Sequence, residues 1–469
     1  MAITIGFQPA PIQPVFNQIF TTFTSDNSAL QGFRYLVDIY ATDTNTLISQ
    51  QKIVPQLDAS GKVDISRILA NYVSVDFAQF LLVTDPATNS FFNYTIQVGE
   101  EYTTPAWEFT TIRPLVGTPQ YTILSGTTTP PYVVNDQILI ATTATTNPLY
   151  GLHKVISSGT NFVGVNVLYT GGVGTFSATT GSTVYADGRK TAFSGLTAIT
   201  GLTVFNGVRS FAEFINYSSN SVNVGTPNTI RKMLTDLPVT NFYASSGQTL
   251  WFNVMITKTN PYNYCLVAES SNSASAITQC VSANDLREVV QFPFSFDDTG
   301  FDLDTTDWVD LYIGRVSGAT TERLTIKYRV FLDRRCTIND YEIAFMDRMG
   351  SIGSFKFQLR AKQTGTIERV QYKKEVPYPY ATIDKGTTNI WIGVQKDLEL
   401  NTDWMTEEMN VYFEQLLSSP NTWIKNSENE SFYACTITDV AFEIEFQKNK
   451  RLIRKTIKIR YANNDAVNI

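Results

Sequence analysis

The chain has 469 residues, 43% hydrophobic and 13% aromatic, with a formal net charge of −7 and 17% charged residues against a usual ~25%. That apolar content supplies several buried cores, each buried Phe or Leu contributing roughly 1.5–3 kcal/mol, and excludes general disorder. The acidic balance lacks the positive footprint of a general nucleic-acid binder, and a single histidine, His153, leaves no histidine triad or multi-His metal site within one chain.

Residues 1–115 predict a β-rich N-terminal scaffold domain. Gln8-Pro-Ala-Pro-Ile-Gln-Pro14 reads as an extended leader, since each proline removes a donor and biases its predecessor away from helix. Phe33, Tyr35, Val37 and Ile39 alternate along one strand face. Asp64 then caps a short helix over 65–72, and strands follow over 79–84 and 91–100. The start has no signal-peptide pattern and no window is long enough for a membrane span, so a soluble protein without a membrane anchor is expected.

Residues 116–190 are nearly free of charge and rich in Thr, Gly and Val. Short strands over 137–141, 153–157, 161–168 and 183–186 predict a small β-barrel-like insertion, with His153 on a strand surface. Residues 191–335 return to long strands over 248–256, 288–296, 308–316 and 323–332, as in a β-sandwich of immunoglobulin-like or jelly-roll type. Asp297, Asp298, Asp302, Asp304, Asp307 and Asp310 crowd one loop of this segment, but without the spacing of a calcium loop they read as a solvated acidic turn. Four cysteines (Cys265, Cys280, Cys336, Cys435) are too scattered for a metal site or disulfide scaffold. All four are expected reduced, with Cys265–Cys280 the pair if one bridge forms.

Residues 336–469 predict a C-terminal α+β scaffold domain. Tyr341 to Phe357 reads strand, turn, strand, with Phe355 and Phe357 on one face, Gly350 in the turn, and Asp347-Arg348 as a salt bridge or interface pair at the corner. Thr406 is the expected N-cap of one long helix, with Glu407 and Glu408 at its positive end and Met409, Phe413, Leu416 and Leu417 as its apolar stripe. The basic run 448–460 is expected to fold back on Phe442–Phe446 as a hairpin, setting Glu443 and Glu445 against Lys and Arg. The whole is thus all-β dominated and multidomain, and no catalytic residue, cofactor site or metal site emerges.

Several stretches together resemble one family, the virion structural proteins of tailed bacteriophages, particularly those infecting Bacteroidetes hosts. They are Val15-Phe-Asn-Gln-Ile-Phe20, Phe33 to Tyr40 with Val63 to Tyr72, the module from Val134 to Gly188, the block from Cys336 to Phe357, and Trp404 to Pro420 followed by Trp423. The resemblance implies a non-enzymatic component of the phage tail (tip, baseplate, hub or collar), assembled in the host cytoplasm as a symmetric homo-oligomer beside other tail proteins and fibres. Its expected architectural residues are Asp347, Arg348, Gly350, Phe355, Phe357, Trp404 and Trp423. Residues 1–115 and 336–469 would form the assembly scaffold and 116–190 would project. The alternative is a receptor-binding adhesin that contacts carbohydrate on the host surface. Nucleic acid enters the expectation only as the passing genome.

Overall fold

A computed structural model describes residues 3–29, 32–77, 85–101, 107–109, 111–115, 121–126, 129–130, 132–135, 137–141, 151–167, 183–186, 198–225, 229–257, 263–272, 275–282, 287–317, 320–335, 340–376, 378–379, 381–384, 386–426, 431–438, 452–463 and 465–467. The expected strand over 79–84 and the expected glutamate strand 442–446 lie outside these. The chain is mostly strand, in several sheets, and forms two compact units, each drawn from separate stretches: 1–11, 18–68 and 93–202 in one, 12–17, 69–92 and 203–469 in the other.

In the first unit, Arg34–Ala41 pairs with Thr46–Ile53 on one side and with Phe91–Glu101 on the other. The expected face of Phe33, Tyr35, Val37 and Ile39 is buried, but Leu36 and Asp38 on the opposite face are buried too, so this strand is covered on both sides. Asp38 accepts a hydrogen bond from Gln50 Nε2 at 2.8 Å. Asp64 caps its short helix as expected, accepting from Ser66 N at 3.0 Å. That helix is one α turn, Ser66–Leu69, followed by a tighter turn, Ala70–Tyr72.

The low-charge segment forms a seven-stranded antiparallel sheet around its own core of Phe109, Leu124, Tyr132, Ile138, Ile140, Val155, Val163 and Val165. It is not a closed barrel. Its terminal strands, Trp107–Glu108 and Thr111–Leu115, are consecutive in the chain and do not pair with each other among the described residues. His153 is half-buried in the strand Gly151–Gly159.

The second unit contains the sandwich and the α+β part. Leu250–Ile256 and Glu288–Phe294 pair antiparallel, and their Phe252, Val254, Val290 and Phe292 meet Leu266, Leu311, Ile313 and Val330 of a six-stranded sheet in a single core. In that second sheet Asn263–Ser270 and Ser275–Ser282 pair so that Cys265 lies opposite Cys280, and the two form a disulfide. The expectation of four reduced cysteines is therefore corrected. The hairpin register places two side chains directly opposite, a relation that spacing alone does not reveal. Cys435 is a buried free thiol, and Cys336 lies outside the described residues.

The C-terminal part packs the helix Glu407–Ser418 on an eight-stranded sheet through Phe345, Phe355, Phe357, Tyr412, Phe413 and Leu416. Thr406 Oγ1 accepts from Met409 N at 3.3 Å, the expected cap. The basic strand Thr456–Tyr461 can be followed here without its expected partner Phe442–Phe446, which lies outside the described residues. It lies between Tyr433–Ile437 and Thr387–Asn401, so both its edges are occupied, and the acids opposite it are Asp397 and Glu399. Arg460 Nε reaches Asp397 Oδ1 at 2.7 Å.

Reducing the Cys265–Cys280 bridge, or replacing both residues by serine, is expected to lower stability by up to about 3 kcal/mol, the loop-closure term for a loop near 15 residues. Urea denaturation with and without a reductant measures it.

Candidate functional site

The corner between Tyr341–Met346 and Ile352–Phe357 is organised by a carboxylate that is 1% exposed. Asp347 Oδ1 accepts from Met349 N at 2.8 Å and from Ser351 N at 2.9 Å. Its Oδ2 accepts from Asp236 N at 3.0 Å and from Thr235 Oγ1 at 3.2 Å. One oxygen therefore closes the turn, and the other clamps a segment over a hundred residues earlier. Burial, reinforced by the neighbouring Asp236 carboxylate, pushes the Asp347 acid up to about 7, against the pull of its N–H donors.

Asp347 and Arg348 form no salt bridge with each other among the described residues, which corrects the salt-bridge form of that expectation. Arg348 contributes its backbone. Its N–H donates to Gln415 Oε1 at 3.2 Å and its carbonyl accepts from Val208 N at 2.7 Å. Gln415 also donates to Asp236 Oδ2 at 2.6 Å, and Arg209 Nη1 donates to Asp236 Oδ1 at 2.8 Å. Gly350 has φ +76°, and a Cβ there would lie 1.8 Å from Asn206 O. Its carbonyl accepts from Asn253 Nδ2 at 3.1 Å.

The other expected residues fall into three settings. Phe355 and Phe357 share the core under the helix, as their spacing implies. Trp423 stacks on Phe77, ring centroids 4.1 Å apart, beside Trp251 and Phe432. Trp404 is half exposed with the Arg454 guanidinium 4.4 Å over its ring. The turn residues and the aromatics thus do not form one site. In the acidic loop Asp310 is gripped by Arg329 at 2.7 and 3.0 Å, Asp307 pairs with Arg334 at 2.9 Å, and Asp302 accepts from Asp304 N at 3.1 Å. Among the described residues no group of three His, Cys, Asp or Glu side chains is placed to hold a metal ion.

Two features were not foreseen from the sequence. The first is a long hairpin of Lys362–Lys373 with Thr387–Asn401, in which every residue of the first strand is exposed. That strand ends the sheet order, so among the described residues nothing pairs with its outer edge, and Ile367, Val370, Tyr372, Ile390 and Trp391 are exposed along the arm. Tyr378 and Ile383 near the tip are 91% and 84% exposed. At about 3.3 Å per residue the fifteen-residue strand spans about 50 Å.

The second is a cleft of about 700 Å³ between the sandwich and the helix, walled by Asn241–Ser245, Phe355, Trp404 and Tyr412. Arg335 on its rim is held by Asp333 and Asp403, and Lys356 by Asp340 at 2.5 Å. Glu408 on the rim has no ion-pair partner among the described residues. Two buried polar atoms of lining residues, Ser245 Oγ and Trp251 Nε1, have no hydrogen-bond partner. The strand Asn241–Ser245 pairs on one side with Tyr328–Asp333 and ends its sheet, and no strand among the described residues pairs with its other edge.

No protein-family model matches the chain, and no curated protein matches it. Among solved structures it is similar, at 8% identity and a TM-score of 0.14, to trypsin-activated alpha-2-macroglobulin from Escherichia coli, over 98% of this chain and 39% of that one. Against the native conformation of that Escherichia coli protein the identity is 10% and the TM-score 0.11, over 97% of this chain and 30% of that one. The chain therefore spans well under half the length of these proteins, and likeness at this level indicates neither fold nor function.

Asp347→Asn turns one acceptor oxygen into an NH2 facing donors, and is expected to cost about 1–3 kcal/mol in urea denaturation. Gly350→Ala is expected to be far worse than Gly300→Ala, because Gly300 has a similar positive φ but open space where a Cβ would lie. Glu342, buried on the same hairpin and hydrogen-bonded by Ser354 Oγ at 2.8 Å, is likewise raised to about 7 by burial. A raised acid favours the protonated fold, so its contribution to stability falls as pH rises from the usual carboxylate range to about 7 and stays low above that. Glu342→Gln is therefore expected to gain on the wild type at pH 8 and to lose that advantage near pH 5, as read by melting temperature across pH.

Proposed function

We propose that this chain is a non-enzymatic structural component of a bacteriophage virion, assembling as a symmetric oligomer in the tail and serving as an adaptor for neighbouring tail proteins or fibres. The virion assignment rests on the sequence resemblance. The observation that carries the assembly role is the bare arm, Lys362–Lys373, exposed along its whole length with an open edge.

A monomer gains nothing from holding apolar side chains and unpaired backbone groups in water. Such an edge is a template for another chain, and soluble proteins shorten, cover or charge it. Here it is long, and the apolar residues recur on both faces. Lys362, Arg369, Lys373 and Lys374 supply enough charge to slow random pairing. A subunit whose final state lies in an assembly has reason to keep such a feature. The cleft, with Trp404 and Tyr243 exposed beside it, supports the second reading of carbohydrate contact, because aromatic rings offer flat amphipathic surfaces to sugars.

The full-length protein is expected to sediment as a defined oligomer, and a variant in which a short turn replaces residues 374–386 at the end of the arm to lose that oligomer while keeping its circular dichroism spectrum. A wild type that remains monomeric at every concentration tested sinks the assembly reading. Glycan-array binding by that monomer favours the adhesin instead.

A further inference from the structure

We infer that the tip of the arm docks into the cleft of a neighbouring copy, with Tyr378 and Ile383 entering beside the open strand edge Asn241–Ser245. The contact is head to tail and closes into a ring. This inference rests on the assembly reading and names its contact.

Both halves of the contact are present on every subunit. The tip carries two side chains, Tyr378 and Ile383, that are almost wholly in solvent. The cleft is an open space of about 700 Å³ with Phe355 and Tyr412 among its lining residues. An extended segment entering it meets the free edge of Asn241–Ser245, and backbone pairing along a sheet edge is a general way for one chain to hold another. Charge agrees: Glu408 on the rim is unpaired among the described residues, and Lys373 and Lys374 flank the tip without ion-pair partners among them.

The two surfaces also constrain the symmetry. Tip and cleft are different patches, so each subunit offers one of each. A contact of that kind is heterologous and makes rings when its rotation closes, whereas arm-to-arm pairing would be isologous and stop at a dimer.

The test uses two full-length variants, a tip variant (Tyr378→Ser with Ile383→Ser) and a cleft variant (Tyr243→Asp with Glu408→Lys). All four positions are exposed, and circular dichroism confirms that each variant folds; Trp404→Ser replaces the cleft variant if it does not. Each variant alone is expected to sediment as a monomer. Mixed in equal amounts they are expected to form a one-to-one heterodimer and nothing larger, because only one intact tip and one intact cleft remain. A cleft variant that assembles like the wild type overturns the inference and favours arm-to-arm pairing. A tip variant that assembles normally overturns it as well. If the wild type itself is monomeric, the assembly reading has failed along with it, whereas a wild-type oligomer indifferent to both variants leaves that reading standing.

Discussion

The Asp347 carboxylate is the point on which the second unit depends. It sits where a tight turn, the helix Glu407–Ser418 and the segment around Thr235 and Asp236 converge, and it accepts four donors with its two oxygens. A buried carboxylate is tolerable only when its lone pairs are used, and these are. Gln415 and Arg209 then tie Asp236 to the same point, so the helix and the loop before the sandwich are referenced to one turn. Gly350 completes the arrangement by letting backbone pass where no side chain fits.

Around that point the packing is conventional. The sandwich core and the core under the helix are separate clusters of aliphatic and aromatic side chains, with Leu237 packed against both. A hydrogen-bonded polar corner next to two apolar cores gives what the cores alone do not. Hydrophobic packing is non-directional, whereas four donors aimed at two oxygens accept one arrangement.

Local features of this architecture were legible in the sequence. The cap at Thr406, the stripe of Phe413 and Leu416, the face of Phe355 and Phe357, and the sandwich strands Leu250–Ile256, Glu288–Phe294 and Trp308–Ser317 follow from periodicity and capping chemistry, whereas the expected strand over 323–332 is split between Thr320–Arg323 and Tyr328–Asp333. What was not legible depends on distant pairing. Nothing near Asp347 announces Thr235 or Asp236. Gln415 gave a faint signal, being a polar residue set among the helix's buried positions. The pairing of the basic strand Thr456–Tyr461 with Asp397 and Glu399, about sixty residues away, was likewise not visible in the sequence. The arm was missed because its composition resembles a surface strand of any sheet, and only the sheet order shows that one edge is bare.

The arm and the corner place opposite demands on the chain over evolutionary time. Pairing along a strand edge is made by backbone groups, which every residue except proline supplies, so the arm's outer edge reads extended shape rather than identity. Its sequence is free to drift while its length and straightness persist. The corner has no such freedom, because Asp347, Gly350, Gln415 and Asp236 are each held by a specific atom of another. Related chains that have diverged widely along the arm should still be recognisable by those few residues, scattered as they are through the sequence.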